Sequence, residues 1–210
     1  MNHKILIADD HSIIRSGLKY LIKEMLPFSL CEEARNGDEV FTHTKRNKFD
    51  LLILDINMPY TDSFTLINNL LAHDSTLKIL IFTMNAESIY AERLFKLGVL
   101  GFLHKEVNSN FEIMNAINTV LNNKIYLNKD SKIIATKNIS LSTEEKSPFE
   151  KLTNREFQIA QSIINGDTQS QIIETFKLHP STISTHKANI FEKLGIESIQ
   201  DLLELHKMYN

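Results

Sequence analysis

The chain has 210 residues, of which 42% are hydrophobic and 23% are charged, and its formal net charge is −3. This length suits one large domain or two small ones, and no run approaches the roughly 18 uninterrupted apolar residues that a membrane helix needs. The single cysteine, Cys31, excludes an internal disulfide and a cysteine-rich zinc site. Because the first apolar run is also too short for a signal peptide, we expect a cytoplasmic protein that does not bind membranes.

The first 122 residues alternate between strand-like and helix-like segments. The strand-like runs are Lys4–Ala8, Phe28–Glu32, Leu51–Leu54, Lys78–Phe82 and Leu100–Leu103. The segments between them repeat apolar residues at helical spacing. Short apolar strands separated by helices are typical of a parallel sheet that is covered on both faces. The pattern therefore predicts a doubly wound α/β domain with a five-stranded parallel sheet over residues 1–122.

Helical periodicity fades after this domain and returns near the C-terminus. Residues 123–149 are polar and rich in Lys, Asn, Ser, Thr and Glu, which predicts a linker, although Ile133 and Ile134 could begin a short helix. Four helical segments follow, at Asn154–Asn165, Thr168–Phe176, Pro180–Leu194 and Ile199–Lys207. They predict a separate all-α domain over residues 150–210.

Polar side chains stand at the ends of four predicted strands. Asp9 and Asp10 follow the first strand, Asp55 the third, Thr83 the fourth and Lys105 the fifth. The carboxyl ends of parallel strands meet at one edge of a sheet, so we expect these side chains to converge. Three carboxylates at close range repel one another unless a cation compensates, and hard oxygen ligands of this kind suit Mg²⁺.

Such an arrangement suits phosphoryl transfer to a carboxylate. Asp55 would act as the nucleophile, and Lys105 would supply positive charge to the phosphoryl oxygens. Taken singly, these residues have simpler interpretations: Asp9 and Asp10 could cap the following helix, and Lys105 could be a surface residue. A hydrolase with an Asp-x-Asp motif is a further alternative, but Asn57 stands where that class needs an acid to protonate the leaving group.

Four short motifs resemble the receiver domain of bacterial response regulators. They are Ile7-Ala8-Asp9-Asp10-His11, Leu54-Asp55-Ile56-Asn57-Met58-Pro59, Phe82-Thr83 and Gly101-Phe102-Leu103-His104-Lys105. The resemblance implies that Asp55 is the phosphoacceptor. It also implies that Asp10, Asp55 and the backbone carbonyl of Asn57 bind Mg²⁺. Asp9 would act on the metal mainly through water.

The same resemblance assigns a switch. Thr83 would close on the phosphoryl group together with Lys105, and Phe102 would be the aromatic residue that changes rotamer with it. The sequence departs from the family pattern at Glu106, where many receivers have Pro, and at Ser63, where Gly is usual. Neither departure removes a reacting group, so we expect phosphorylation competence to be retained.

The C-terminal segments fit a helix-turn-helix. Only Lys177-Leu178-His179 separates the second and third segments, and the second helix of this motif enters the major groove of DNA. Ile183, Ile190 and Leu194 give that helix one buried stripe. The predicted DNA-contacting residues, which lie largely away from the stripe, are Ser181, Thr182, Ser184, Thr185, Lys187, Ala188, Asn189 and Lys193. On spacing alone, a four-helix regulatory bundle stays open.

The charge of this domain is unusual for a DNA-binding protein. From Glu150 onward the chain has six basic and eight acidic residues, hence a net charge of −2, whereas DNA-binding domains are usually basic. Few lysines per chain predict weak binding by one copy, so we expect a homodimer on paired half-sites. Leu202, Leu203 and Leu205 of the last segment could form a dimer face or close the domain core.

A second resemblance favours DNA binding. Leu152-Thr153-Asn154-Arg155-Glu156, Gly166, the run from Thr182 to Ile190 and Lys193-Leu194-Gly195 resemble the LuxR-type helix-turn-helix. With a receiver in front, the whole chain resembles the NarL/FixJ-type response regulators. This implies a transcription regulator of a two-component system, not an enzyme, that a sensor histidine kinase phosphorylates on Asp55 and that binds double-stranded DNA. Two alternatives stay open: DNA binding that is independent of phosphorylation, and a C-terminal bundle that binds a protein.

Overall fold

The computed structural model describes residues 2–106, 109–127 and 147–209. The chain divides into two compact units, residues 1–136 and 137–210. Most of the predicted linker, including Ile133 and Ile134, lies outside the described residues. Within the described ranges, none of the helices combines the length and the apolar character that crossing a membrane requires.

The N-terminal unit alternates strands and helices. Its strands are β1 (Lys4–Ala8), β2 (Leu30–Ala34), β3 (Leu51–Leu54), β4 (Lys78–Thr83) and β5 (Gly101–His104). Its helices are α1 (Ser12–Met25), α2 (Gly37–Arg46), α3 (Ser63–His73), α4 (Glu87–Leu97) and α5 (Asn110–Leu121). All strand pairs are parallel, in the order β2-β1-β3-β4-β5. The predicted α/β fold with a five-stranded parallel sheet is confirmed.

Strand β2 lies two residues later than the sequence pattern suggests. It begins at Leu30, not at Phe28, and its register pairs Lys4 with Leu30 and Ala8 with Ala34. Phe28 is 73% exposed. Along β2, Leu30 is exposed, Ala34 is buried and the three residues between them are half-buried, so the weak apolar signal of this edge strand does not fix its bounds.

The apolar residues of the central strands form the core. Strands β1, β3 and β4 are almost completely buried, which explains their runs of Ile and Leu without polar alternation. Tyr126 follows α5, forms a β-bridge with Gly101 and packs into the same core. Burial and the neighbouring Glu112 raise the pKa of Tyr126 to about 12. Its hydroxyl therefore stays protonated and donates to Glu112 over 3.2 Å.

The C-terminal unit is entirely helical in its described residues. A 3-10 helix, Pro148–Lys151, precedes α6 (Asn154–Ile164), α7 (Gln169–Phe176), α8 (Pro180–Leu194) and α9 (Ile199–Tyr209). Capping boxes begin α6 and α7, where the side chains of Thr153 and Thr168 accept from the backbone N–H groups of Glu156 and Gln171. The predicted all-α second domain is confirmed.

The core of this unit is formed by residues from each of its helices. Phe149, Phe157, Ile183 and Ile190 are all buried, as is Leu202, which is 0% exposed. Leu202 of α9 therefore closes the domain core. This is one of the two roles that the sequence left open for the last helix.

Candidate functional site

The acidic residues lie at the carboxyl edge of the sheet between β1 and β3, the position at which a doubly wound fold has its crevice. These strands are neighbours, but the chain leaves β1 towards β2 and leaves β3 towards β4, so the strand order reverses between them. Asp9 directly follows β1 and Asp55 directly follows β3. The backbone N–H of Asp55 donates to the carbonyl of Ala8 over 2.8 Å, which fixes the two carboxylates side by side. Asp9 is 2% exposed and Asp55 is 4% exposed.

Four side chains in this crevice could ligate a metal ion together. Asp9, Asp10, His11 and Asp55 each offer one ligand atom, and these atoms all lie within 4.8 Å of one another. Oδ1 of Asp10 is buried and makes no hydrogen bond to any described residue. The ring of His11 approaches this oxygen to 2.8 Å, but without the directionality of a hydrogen bond. Clustered carboxylates with an unsatisfied buried oxygen fit a hard divalent cation such as Mg²⁺.

Lys105 joins the two buried carboxylates. Its Nζ lies 2.6 Å from Oδ2 of Asp9 and 2.6 Å from Oδ2 of Asp55, and its side chain is 5% exposed. Burial alone would lower the pKa of Lys105. The hydrogen bonds and charges of Asp55 and Asp9 outweigh burial and raise this pKa. The crevice therefore holds an ammonium group beside the carboxylates of Asp9 and Asp55.

The remaining predicted residues surround this centre. The backbone N–H of Asn57 donates to Oδ1 of Asp55 over 3.1 Å. The side-chain amide of Asn85 donates to Oδ1 of Asn57 over 2.8 Å and lies 3.4 Å from the hydroxyl of Thr83. Thr83 is completely buried, and so is the ring of Phe102 on β5. Thr83 and Asn57 are thus connected through Asn85, while Phe102 points into the interior of the domain.

Sequence reasoning missed three polar residues at this site. Asn85 connects two loops that the sequence treats separately, and His11 belongs to the potential ligand group. Arg15 is 8% exposed and donates to the backbone beside the acidic residues. A usable signal existed for Arg15, because it stands three residues before Leu18 and seven before Ile22, on the apolar face of α1.

The helix-turn-helix consists of α7, a three-residue turn and α8. Lys177 begins the turn with a φ of 52°, in the left-handed region that ends a helix. In α8, Ile183 and Ile190 are buried, as their spacing predicts, and Leu194, the third residue of the predicted stripe, is only half-buried. The exposed residues of α8 include Ser181, Ser184, Thr185 and Ala188. Thr182, Lys187 and Asn189 are half-buried at the edges of the exposed face.

The two lysines predicted to contact DNA have different surroundings. The ammonium group of Lys187 lies 5.4 Å from the centre of the Phe191 ring. Nζ of Lys193 instead lies 2.6 and 2.8 Å from the two carboxylate oxygens of Glu156. Glu156 is 4% exposed. Burial alone would raise its pKa, but its hydrogen bonds to Lys193 and Thr153 outweigh burial and lower it. The positive charge of Lys193 therefore forms an ion pair inside the domain.

These features define a class of protein: an α/β domain with an acidic crevice, followed by a helix-turn-helix domain. Comparisons with known proteins give the same division. The family model for the response regulator receiver domain matches residues 5–118. The family model for bacterial regulatory proteins of the luxR family matches residues 150–205. The chain belongs to the response regulators that combine a receiver domain with a LuxR-type DNA-binding domain.

Relatives of full length support this assignment. The Fimbriae Z protein of Escherichia coli K12 is 29% identical over 205 residues, covering 98% of this chain and 96% of its own. A putative transcriptional regulator of Pseudomonas aeruginosa is 30% identical over 206 residues, covering 98% of each chain. The solved structure of RcsB from Salmonella enterica serovar Typhimurium, bound to promoter P1flhDC in the presence of the phosphomimetic BeF3⁻, has a TM-score of 0.76 at 22% identity, covering 98% of each chain. The resemblances drawn from the sequence motifs are confirmed, and the chain is a DNA-binding response regulator.

Proposed function

We propose that a sensor histidine kinase phosphorylates this response regulator on Asp55 and that phosphorylation controls DNA binding by α8. The receiver domain would comprise residues 1–122, the linker 123–149 and the DNA-binding domain 150–210. The observation that carries the proposal is the contact of Lys105 with both Asp9 and Asp55 in the crevice. As a DNA-binding regulator, the protein would act in the cytoplasm.

The geometry supports a direct transfer to Asp55. A carboxylate oxygen of Asp55 attacks the phosphorus of a phosphohistidine, the P–N bond breaks, and its electron pair returns to the imidazole of the donor. The ammonium group of Lys105 would then exchange its contact with Asp55 for one with a phosphoryl oxygen. The N–H of Asn57, which donates to Oδ1 of Asp55, orients the carboxylate before the reaction.

Asp10, Asp55 and the backbone carbonyl of Asn57 would hold Mg²⁺, and Asp9 would act on it through water. When bound, the ion would neutralise the carboxylates and the charge of the incoming phosphoryl oxygens. Asn57 carries an amide at the position where an Asp-x-Asp hydrolase needs an acid. This supports a phosphorylated switch in preference to a hydrolase.

Thr83, Lys105 and Phe102 would couple the phosphoryl group to the rest of the domain. The hydroxyl of Thr83 would leave Asn85 and donate to a phosphoryl oxygen. Phe102 would change rotamer with the phosphoryl group, and the inward position that it occupies here would be that of the phosphorylated state. Such a change alters activity only if the two states differ in affinity for DNA or for a second copy of the chain.

Binding of double-stranded DNA would use the exposed face of α8. The proposed contact residues are Ser181, Thr182, Ser184, Thr185, Lys187, Ala188, Asn189 and Lys193. Short side chains allow close approach to phosphates and base edges, and Ala188 could contact a thymine methyl group. Because the domain is acidic overall, two copies on paired half-sites would supply the necessary number of phosphate contacts. Because Lys193 is already paired with Glu156, we expect it to contribute least to DNA binding among these residues.

The acceptor is tested by phosphorylating the full chain with acetyl phosphate and Mg²⁺. The wild type should be labelled and Asp55→Asn should not. Asp62→Asn is the matched control, because Asp62 is a nearby aspartate that caps α3, and it should be labelled like the wild type. Labelling of Asp55→Asn at the wild-type level would remove Asp55 as the acceptor.

A second experiment separates the three functional alternatives. DNA affinity is measured with and without phosphodonor over a range of salt concentrations. The proposal requires tighter binding after phosphorylation and a decrease in affinity as salt rises. Equal affinities would indicate DNA binding that is independent of phosphorylation. A protein-binding bundle would show no salt-dependent DNA binding at all.

A further inference from the structure

Arg15 of α1 reaches from the helix to the loop that carries the acidic residues. Its Nη1 donates to the backbone carbonyl of Asp9 over 2.8 Å and to that of Asp10 over 3.1 Å. Its side chain is 9% exposed. A charged side chain is rarely buried to this extent unless it is paired and hydrogen-bonded. Arg15 donates hydrogen bonds to two consecutive carbonyl groups of the β1–α1 loop.

The peptide unit between Asp10 and His11 is held at both ends. Its carbonyl accepts from Arg15, and its N–H donates to Oδ1 of Asp9 over 2.9 Å. The carbonyl and the N–H of a trans peptide point in opposite directions and rotate as one rigid plane. Arg15 therefore fixes the orientation of the N–H group that holds the carboxylate of Asp9.

The other end of Arg15 is anchored to the neighbouring strand. Its Nε donates to Oε2 of Glu33 on β2 over 3.2 Å. Oε1 of Glu33 accepts from Lys19, one turn further along α1, over 2.8 Å. The backbone N–H of Asp9 in turn donates to the carbonyl of Ala34, the residue after Glu33. The loop is thus fastened to β2 through its backbone and through the side chain of Arg15.

We propose that Arg15 is a positioning residue for the divalent-cation site, acting by fixing the backbone that orients the carboxylates of Asp9 and Asp10. This inference rests on the proposed function, because it concerns the same cation site. Arg15 contacts only the carbonyl groups of these residues and has no role as a ligand. Removal of a residue that orients metal ligands through hydrogen bonds typically lowers metal affinity by roughly 10–100-fold.

The sign of the effect distinguishes positioning from simple electrostatics. Arg15 brings a fixed positive charge close to an acidic site, and removal of that charge by itself would strengthen cation binding. Loss of the orienting hydrogen bonds would weaken it. If the positioning effect dominates, a neutral replacement that leaves the fold intact binds the cation less tightly, in spite of the more negative site.

The experiment measures Mn²⁺ binding to the full chain by the loss of the electron paramagnetic resonance signal of free Mn²⁺. The variants are Arg15→Met, which has similar length and no hydrogen-bond donors, and Arg15→Lys, which keeps the charge. Lys19→Met is the matched control, since the ammonium group of Lys19 shares Glu33 with Arg15 and donates to that carboxylate on β2 rather than to the loop. We expect Arg15→Met to weaken Mn²⁺ binding by on the order of tenfold and Lys19→Met to leave it unchanged.

A second readout uses the rate of Asp55 labelling by acetyl phosphate at increasing Mg²⁺ concentrations. For Arg15→Met, the half-saturating Mg²⁺ concentration should rise while the rate at saturating Mg²⁺ returns to the wild-type value. A general loss of folded protein would lower the maximal rate and leave the half-saturating concentration in place. The half-saturating Mg²⁺ concentration of Arg15→Lys should lie between those of the wild type and Arg15→Met. The single nitrogen of a shorter side chain cannot bind both carbonyl groups and Glu33 together.

Unchanged or tighter Mn²⁺ binding by Arg15→Met would overturn the inference. If Arg15→Met does not fold, Arg15→Lys decides alone: weaker Mn²⁺ binding supports positioning, and wild-type binding overturns it because only the charge would then matter. A wild-type chain that neither binds Mn²⁺ nor becomes labelled would instead remove the proposed function. If the wild type binds Mn²⁺ and is labelled, and the Arg15 variants do so equally well, only the inference about Arg15 is overturned.

Discussion

The ammonium group of Lys105 lies 2.6 Å from a carboxylate oxygen of Asp55 at the strand-order reversal of the sheet. Both side chains are at least 95% removed from solvent, at 5% and 4% exposure. The contact places a positive charge next to the carboxylate that we propose receives the phosphoryl group. It also neutralises part of the negative charge of the crevice. Lys105 and a divalent cation would therefore both compensate the repulsion between the carboxylates.

Replacement of Lys105 by Met should destabilise the receiver domain most when no divalent cation is present. Removal of one partner of a buried ion pair leaves an uncompensated charge and costs about 3–5 kcal/mol. Added Mg²⁺ should recover part of this loss, because it binds only the folded crevice. Denaturant unfolding of Lys105→Met with and without Mg²⁺ checks this. Lys96→Met, which removes an exposed lysine of α4, is the control and should show no such dependence on Mg²⁺.

The variant Thr83→Val should separate phosphorylation from its consequence. Val keeps the buried shape and removes the hydroxyl, so labelling of Asp55 should continue. A hydrogen bond to a charged group contributes about 1.5–3 kcal/mol, which corresponds to roughly ten- to hundredfold in an equilibrium. The gain in DNA affinity on phosphorylation should fall by that order. Equal gains in the wild type and in Thr83→Val, measured by gel shift with acetyl phosphate, would contradict a coupling role for this hydroxyl.

Two lysines of α8 should respond differently to replacement by Met. Lys187→Met should weaken DNA binding and reduce the salt dependence by about one phosphate contact per subunit, with little change in folding stability. Lys193→Met should lower the stability of the C-terminal domain, by about 1–3 kcal/mol, because buried Glu156 loses its partner. Salt-dependent DNA titrations and denaturant unfolding of both variants measure the difference. Identical profiles for the two lysines would contradict these assignments.

The C-terminal domain should lose stability on mild acidification through His206. Burial lowers the pKa of His206 below its ordinary value of 6.5. Its ring packs edge-on against Phe149, with centroids 6.0 Å apart. The unfolded chain therefore takes up a proton before the folded one does. The contribution of His206 to stability is complete above pH 6.5 and is lost as the pH falls from 6.5 through its folded value.

Hydrogen exchange of the α9 amides at about pH 7.5 and 5.5, corrected for intrinsic rates, measures this effect. His206→Phe keeps an aromatic ring beside Phe149 and removes the titrating group, so its protection should depend less on pH. The lowered pKa of Glu156 acts in the same direction, but only below its ordinary value of 4.5, which separates the two contributions. Equal pH dependence in the wild type and in His206→Phe would contradict the prediction.

The sequence by itself determined the alternation of strands and helices, the two-domain division and the residues at the strand ends. Periodicity is local, so Lys4–Ala8 or Pro180–Leu194 could be delimited without knowledge of the rest of the chain. Convergence of Asp9, Asp55 and Lys105 could also be predicted, because parallel strands place their carboxyl ends at one edge. The predicted bounds of edge strand β2 were two residues too early, because its mostly half-buried residues carry little apolar signal.

Only the tertiary structure decided which partners the charged side chains take. Arg15 pairs with Glu33 across 18 residues, and Lys193 pairs with Glu156 across 37. No periodic pattern encodes such distances, because they depend on how α1 packs beside β2 and how α8 packs against α6. Packing of α9 against α6 likewise buries Leu202 in the domain core. Local sequence specifies which side chains a helix or strand presents, and long-range packing selects the partner that each of them meets.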